Sequence, residues 1–395
     1  MKFLHVIATV NPEFGGPIEG LKQLAQVLTQ KGHEVEIASL DAPNALWVAQ
    51  CPVPVHALGP TKSTYGYSPR LLPWLRANAS NYDFVIANGI WQYSSFATWR
   101  ALHRTTTPYL VFTHGMLDPW FKHTYPLKHL KKCLYWPWAE YRVLRDAAGV
   151  CFTCEEERLL ARQSFRLYQC REFVVSYGTA GAKGDSDAQR QLFTEKFPHL
   201  KDKRVMLFLS RIHVKKGCDL LIEAFARVAS RDASLHLVMA GPDQTNWRVA
   251  LEAQAEKLGI AARITWAGML SGDLKWGAFR AAEAFVLPSH QENFGIVVAE
   301  ALSCGTPVLI SNKVNIWREI EKDGAGFVDE DSTEGTVRVL ERWLESTKEE
   351  QLAMRQQARR TFLKRFEINE AAESFLQVLD AARSPEKNAA KKPLS

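Results

Sequence analysis

One pattern recurs along this chain and limits what it can fold into. A short apolar run, residues 3–8, meets a loop that contains Gly15 and Gly16, and a helix follows. Pro17 suits the first turn of that helix, where a missing N–H costs nothing. Leu21, Leu24, Ala25 and Leu28 recur at i, i+3, i+4 and i+7, which puts one apolar face against a core. Lys31-Gly32 stops the helix, and residues 35–38 form the next apolar run. This is a βαβ unit. Further short runs at 84–87, 109–113, 150–153 and 173–176 extend it. They predict a mostly parallel sheet covered by helices on both faces.

The pattern then restarts. Residues 180–187 are small and polar and read as a linker. Beyond them come apolar runs at 205–209, 235–240, 264–266, 284–287 and 308–310, and a helix lined by Leu220, Leu221, Ala224, Phe225 and Val228. A chain of 395 residues exceeds what one core usually supports, so two α/β domains are expected. The last helix carries Ala372, Phe375, Leu376 and Leu379 on one face, but periodicity does not say where it docks. Residues 384–395 are polar and read as frayed.

Bulk properties narrow the class. The chain is 46% hydrophobic and 23% charged with a net charge of +6, which suits partners that are anionic in part and does not single out nucleic acid. Seven cysteines, an odd number without a pairing framework, point to a reducing cytoplasm. Residues 3–8 read as a buried strand, too short for a signal core, and no run is long enough for a spanning helix. Cys151 and Cys154 have CxxC spacing without a second pair, and read as buried thiols. The acidic runs 329–331 and 155–157 read as a solvated turn and a helix start, so no metal is expected.

The chemistry-bearing residues all follow strands. Arg211 and Lys216 sit in a loop that ends at Gly217 and opens a helix. Two fixed cations there suit a diphosphate leaving group, whose charge grows as its bond to a sugar breaks. Downstream, residues 289–295 run into an apolar helix beginning near Ile296. Gly295 allows backbone N–H groups to approach an anion closely, and the start of a helix favours negative charge. Glu300 is a carboxylate early in an apolar helix, costly unless bonded, and a ribose diol fits it. Glu292 precedes the helix and can reach a sugar. His114, just after residues 109–113, can donate to a sugar hydroxyl. Gly15 and Gly16 read as a phosphate and acceptor contact, although the G-x-G-x-x-G fingerprint of nicotinamide enzymes is absent. Residues 120–138 mix lysines with aromatics. They suit either an anionic lipid surface or a helical hairpin that packs its own aromatics.

Glu292-x7-Glu300 with Phe294-Gly295, Arg211-x4-Lys216-Gly217, Gly15-Gly16 and His114-Gly115 together resemble the retaining glycosyltransferase family 4 over nearly the whole chain. The resemblance implies the GT-B fold: an N-terminal acceptor domain, residues 1–180, joined by a crossover helix within 369–395, and a C-terminal nucleotide-sugar domain, residues 181–368, across a deep cleft. It implies no catalytic metal and no cofactor beyond the nucleotide sugar. Arg211 and Lys216 would hold the diphosphate and Glu300 the ribose. Glu292, with the backbone of Asn293, Phe294, Gly295 and Ile296, would hold sugar hydroxyls. His114 would lie near the anomeric carbon, and Gly268 and Met269 would meet the base. Many members have glycine where this chain has Asn293, which touches donor choice. Residues 88–91 and 113–117 look like members that build bacterial surface or extracellular polysaccharides. The expected activity is hexose transfer, from UDP-glucose or similar, to a saccharide or lipid-linked saccharide, with retention by a front-face path. A metal-free UDP-sugar 2-epimerase and a non-enzymatic sugar-binding protein are the competing readings.

Overall fold

Both sheets are parallel throughout, as continuous apolar strands flanked by amphipathic helices require. A computed structural model describes residues 1–383; the expected frayed segment, residues 384–395, lies outside the described residues. The chain forms two units. One comprises Met1–Ser176 and the chain from Ala371, the other Tyr177–Glu370.

The first unit holds β1 (Lys2–Ile7), β2 (Glu34–Ser39), β3 (Val55–Ala57), β4 (Phe84–Asn88), β5 (Tyr109–Phe112), β6 (Gly149–Phe152) and β7 (Glu172–Val174). Their order across the sheet is β3-β2-β1-β4-β5-β6-β7. All five residues of β4 are buried, as a central strand covered on both faces requires. In this unit only β3 has no counterpart in the sequence reading. It is three residues long, half-buried at an edge, and follows Pro52 and Pro54, so it offers no apolar run to detect.

The second unit holds β8 (Arg204–Leu209), β9 (Leu235–Ala240), β10 (Ile264–Gly268), β11 (Ala284–Leu287), β12 (Val308–Ser311) and β13 (Gly326–Asp329), ordered β10-β9-β8-β11-β12-β13. Residues 180–187, read as linker from composition, belong to this unit, where the Ala182 amide donates to Ser303 Oγ at 3.1 Å and Asp185 caps the helix Ser186–Lys196, and the chain just before them is packed as well. Gly178 lies so close to Phe366 that an added Cβ would sit 2.5 Å from its carbonyl oxygen, and Thr179 bridges to Glu367.

The last helix, Ile368–Arg383, packs on the first unit from Ala371 onward. Phe375 is fully buried, with its ring 5.9 Å from Phe3 and 6.2 Å from both His5 and Phe112. Ser374 Oγ accepts from the Ser176 amide at 3.0 Å, and Arg383 pairs with Asp83 at 3.1 Å.

Strand order positions the sites. It reverses between β1 and β4 in the first unit and between β8 and β11 in the second. At such a reversal the loops leaving the two strands diverge to opposite faces and open a crevice at their carboxyl ends.

Candidate functional site

In the second unit, the two loops at the reversal are those carrying the expected cations and carboxylate. The β8 loop runs through Arg211 to Lys216, and the β11 loop through Glu292 to Gly295. A backbone bond joins them, His290 N–H to the Lys215 carbonyl at 2.8 Å. Gly217 makes the approach possible. Its φ is +64°, and an added Cβ would lie 2.2 Å from the Pro288 carbonyl oxygen. Lys216 Nζ forms an ion pair with Glu292 Oε2. The lysine side chain is only 9% exposed, so the pair is shielded from bulk water. Arg211 is exposed and forms no ion pair among the described residues. The His213 ring between these cations is pushed below its usual pKa by burial and by Arg211, Lys215 and Lys216.

The Glu292 backbone is fixed by Lys313 O at 2.9 Å and by the Asn315 amide at 3.0 Å. Asn315 Nδ2 reaches Asn293 Oδ1 at 3.4 Å. Gly295, at φ +71°, caps the helix Ile296–Ser303 without any side-chain cap. The first N–H groups of that helix therefore remain available to an anion. Phe294 contributes backbone only, because its ring is buried 5.0 Å from Tyr177 and 5.6 Å from Phe366. Glu300 already has a partner, Lys275 Nζ at 2.8 Å. Gly268 closes β10 at φ +66°, and its carbonyl accepts from Gly241 at 2.8 Å; the Met269 side chain is exposed.

His114, Gly15 and Gly16 belong to the first unit. Gly15, at φ +82°, precedes the helix Gly16–Gln30. A cavity of about 600 Å³ opens at the reversal there, lined by Thr9, Pro17, Lys62, Asn88, Gln92 and His114 among others. His114 sits at φ +47°, a conformation rare outside glycine. Its ring stacks 5.7 Å from Phe112, and Nε2 lies 3.4 Å from Asn88 Oδ1. Burial lowers its pKa to about 4, against an opposing pull from Glu157. The ring is thus a neutral hydrogen-bonding group near neutral pH.

Sequence reasoning missed several residues that build these sites. Glu157 accepts from the Thr113 hydroxyl, the Gly115 amide and the Thr153 amide and hydroxyl, and so anchors the His114 turn. Its place at a helix start disguised it as a charge near a dipole. Glu140 is fully buried and accepts from the Trp91 amide at 2.9 Å, holding Trp91 at φ +70°. Burial raises its pKa to about 7. Lys275 lies on a helix with no local signal of its contact with Glu300. Among the described residues no three His, Cys, Asp or Glu side chains gather as a metal centre would need. The acidic turn is occupied by ion pairs, Asp329 with Arg338 and Asp331 with His290 at 3.0 Å.

Known proteins resemble both units. Residues 15–178 match the family described as Glycosyl transferase 4-like domain, and residues 189–361 match Glycosyl transferases group 1. Mannosylfructose-phosphate synthase of Agrobacterium fabrum is 33% identical over 141 residues, 34% of this chain and 31% of that protein. Alpha-D-kanosaminyltransferase of Streptomyces kanamyceticus is 30% identical over 189 residues, 47% and 48% of the two chains. The matched stretches thus span a third to a half of these relatives. The structure of Anabaena HepE in complex with UDP superimposes with a TM-score of 0.77 at 17% identity, over 96% of this chain and 100% of that one. Sucrose-phosphate synthase of Thermosynechococcus elongatus gives 0.76 at 19% identity, over 96% and 98%. At these identities the likeness shows the fold, which is GT-B.

Proposed function

We propose that this chain, whose two units are glycosyltransferase domains of a GT-B protein, moves a hexose from a nucleotide sugar to a saccharide or lipid-linked saccharide and retains the anomeric configuration. The observation that carries the reading is the Lys216–Glu292 pair, set at a strand-order reversal beside an uncapped helix start. A diphosphate entering that crevice offers Lys216 a more highly charged partner, while Arg211 and the amides at Gly295 to Val297 add donors. Glu292, relieved of the lysine, then accepts from sugar hydroxyls. Glu300 with Lys275 faces the ribose, and Gly268 and Met269 face the base. UDP is the favoured nucleotide, since a fold neighbour was solved with UDP and glucose.

No carboxylate is assigned behind the anomeric carbon, so the proposed path is front-face. The acceptor hydroxyl forms its bond to the anomeric carbon on the side where the phosphate departs, and its proton goes to the leaving phosphate oxygen. Cations fixed around that phosphate favour the transition state over the ground state. Neutral His114 donates to a hydroxyl near the reacting carbon. The cavity of the first unit, with hydroxyl, amide and lysine groups among apolar walls, receives the acceptor. Incubation with a panel of UDP-sugars and saccharide acceptors tests the reading. Acceptor-dependent UDP release with an α-linked product from an α-linked donor is expected. A 2-epimer formed without acceptor, an inverted product, or a trapped glycosyl-Glu292 would refute it.

The proposal places the reaction in a reducing cytoplasm, with the acceptor surface against an anionic membrane. No helix among the described residues is long and apolar enough to cross one. Trp120 packs edge-on to Phe121 and Tyr125, as a self-packed hairpin would. The leucines do not join it. On the helix Pro126–Tyr135, Leu127, Leu130 and Leu134 are 78%, 61% and 71% exposed, and Trp138 beyond it is 71% exposed. Lys122, Lys128 and Lys131 are exposed close by in the sequence. An exposed apolar stripe on a lysine-rich segment fits a lipid headgroup layer. Flotation should show binding to vesicles containing phosphatidylserine, lost in Leu130→Glu/Leu134→Glu. Equal partitioning to neutral vesicles would remove the charge argument.

A further inference from the structure

Away from the β8 and β11 loops, the second unit contains a separate cavity of about 460 Å³. Arg280, Arg355 and Arg359 line it, with Ser303, Cys304 and Gln356. Arg280 ends the helix Gly272–Ala281, Arg355 and Arg359 are one turn apart on the helix Lys348–Thr361, and Ser303 ends the helix Ile296–Ser303.

None of the three arginines forms an ion pair among the described residues. Arg280 Nε donates to Gln189 Oε1 at 2.9 Å, Arg355 Nη2 to the Ala282 carbonyl at 2.6 Å, and Arg359 Nη1 to the Ser303 carbonyl at 2.6 Å. Those neutral contacts fix the guanidinium groups and leave most of their five N–H donors unused. The nearby carboxylates are committed. Glu283 forks onto Arg204 with bonds of 2.9 and 3.1 Å, and Glu300 pairs with Lys275. Burial lowers the Arg355 pKa, the nearby Glu283 pulls it back up, and Arg190 adds a further like charge. Three oriented guanidinium groups thus line one cavity, and an oxyanion between them would meet complementary charge.

The geometry points to a second ligand site in which Arg280, Arg355 and Arg359 bind the phosphoryl group of a small phosphate ester. A guanidinium fork matches two phosphoryl oxygens at once. The volume exceeds what a bare phosphate fills and falls in the range of small-molecule sites. The exposed Gln356 amide supplies a donor and an acceptor suited to a polyol, while Ser303 Oγ, which donates to the Glu300 carbonyl at 2.7 Å and accepts from the Ala182 amide at 3.1 Å, can only accept further, so a sugar phosphate is the class assigned. The site touches the C-terminal end of the helix whose N-terminal end faces the proposed donor site. It does not depend on the donor assignment.

Calorimetric titration of the full chain saturated with UDP tests this, with glucose 6-phosphate, inorganic phosphate and glucose as probes. Glucose 6-phosphate should bind at one site per chain, more tightly than phosphate, and glucose should not bind. Arg280→Gln and Arg359→Gln should each weaken the ester by about tenfold or more. UDP affinity of the same variants should be unchanged, which reports that they are folded. Arg355 is left intact because it holds the end of a helix. Phosphate binding as tight as the ester would overturn the sugar phosphate assignment. Ester binding that is undetectable in the wild type, displaced by UDP, or as tight in both variants as in the wild type would overturn the site itself.

Discussion

Lys216 and Glu292 neutralise each other in a setting where either alone would be costly, since breaking one side of a shielded pair leaves an uncompensated charge. That makes the pair a gate as well as a contact, because a diphosphate must outcompete the carboxylate. Charge-assisted bonds are worth about 1.5–3 kcal/mol. Lys216→Ala should therefore slow turnover by about 10- to 150-fold, measured as acceptor-dependent UDP release. Unchanged turnover would detach Lys216 from the chemistry. Glu140 supports a different prediction. Its carboxyl is raised to about 7 in the folded chain from an ordinary value near 4.5. The folded state holds the proton more tightly, so the associated stability is complete below about pH 4.5 and is lost as pH rises through 7. The loss is about 3 kcal/mol by the size of the shift. Glu140→Gln keeps the acceptor for the Trp91 amide and should flatten stability between pH 5 and pH 8 relative to wild type. Parallel denaturation profiles would contradict it.

At the scale of elements, loops at two strand-order reversals carry the candidate chemistry, and glycines set their spacing. Gly217→Ala forces a Cβ against the Pro288 carbonyl at an already left-handed φ. A strained backbone of this kind costs about 1–3 kcal/mol. The second unit should melt about 2 °C lower or more, and UDP should bind more weakly because the cation-bearing β8 loop and the β11 loop with its helix-start amides separate. An unchanged melting curve and affinity would show that the loops are not held this way. These loops were legible in the sequence because cations, glycine and carboxylates followed apolar runs directly. Their partners were not. Lys275 meets Glu300, and Glu157 holds the His114 turn, through contacts between elements that no local spacing records. Phe294 is expected to meet the sugar through its backbone alone, and the place of its ring, between Tyr177 and Phe366, is a contact that the motif does not record.

For the molecule as a whole, the repeated strand–helix pattern made the parallel α/β class readable. Strand order was not readable, because periodicity fixes a face and not a neighbour. The course of the final helix came from family resemblance, since its apolar face would fit either unit. Its docking gives a direct test. Phe375→Ala removes a fully buried ring packed near Phe3, His5 and Phe112, at a cost of about 3–5 kcal/mol. Calorimetry should show the first unit's transition falling while that of the second holds; equal shifts in both would refute this assignment. The central claim is that the β8 and β11 loops of the second unit receive a nucleotide diphosphate. Titration of UDP into the wild-type chain and into Lys216→Ala measures it most directly. One saturable site in the wild type, weakened at least about tenfold in the variant, is the predicted result. Equal affinity in the two proteins, or no saturable binding in the wild type, would contradict it.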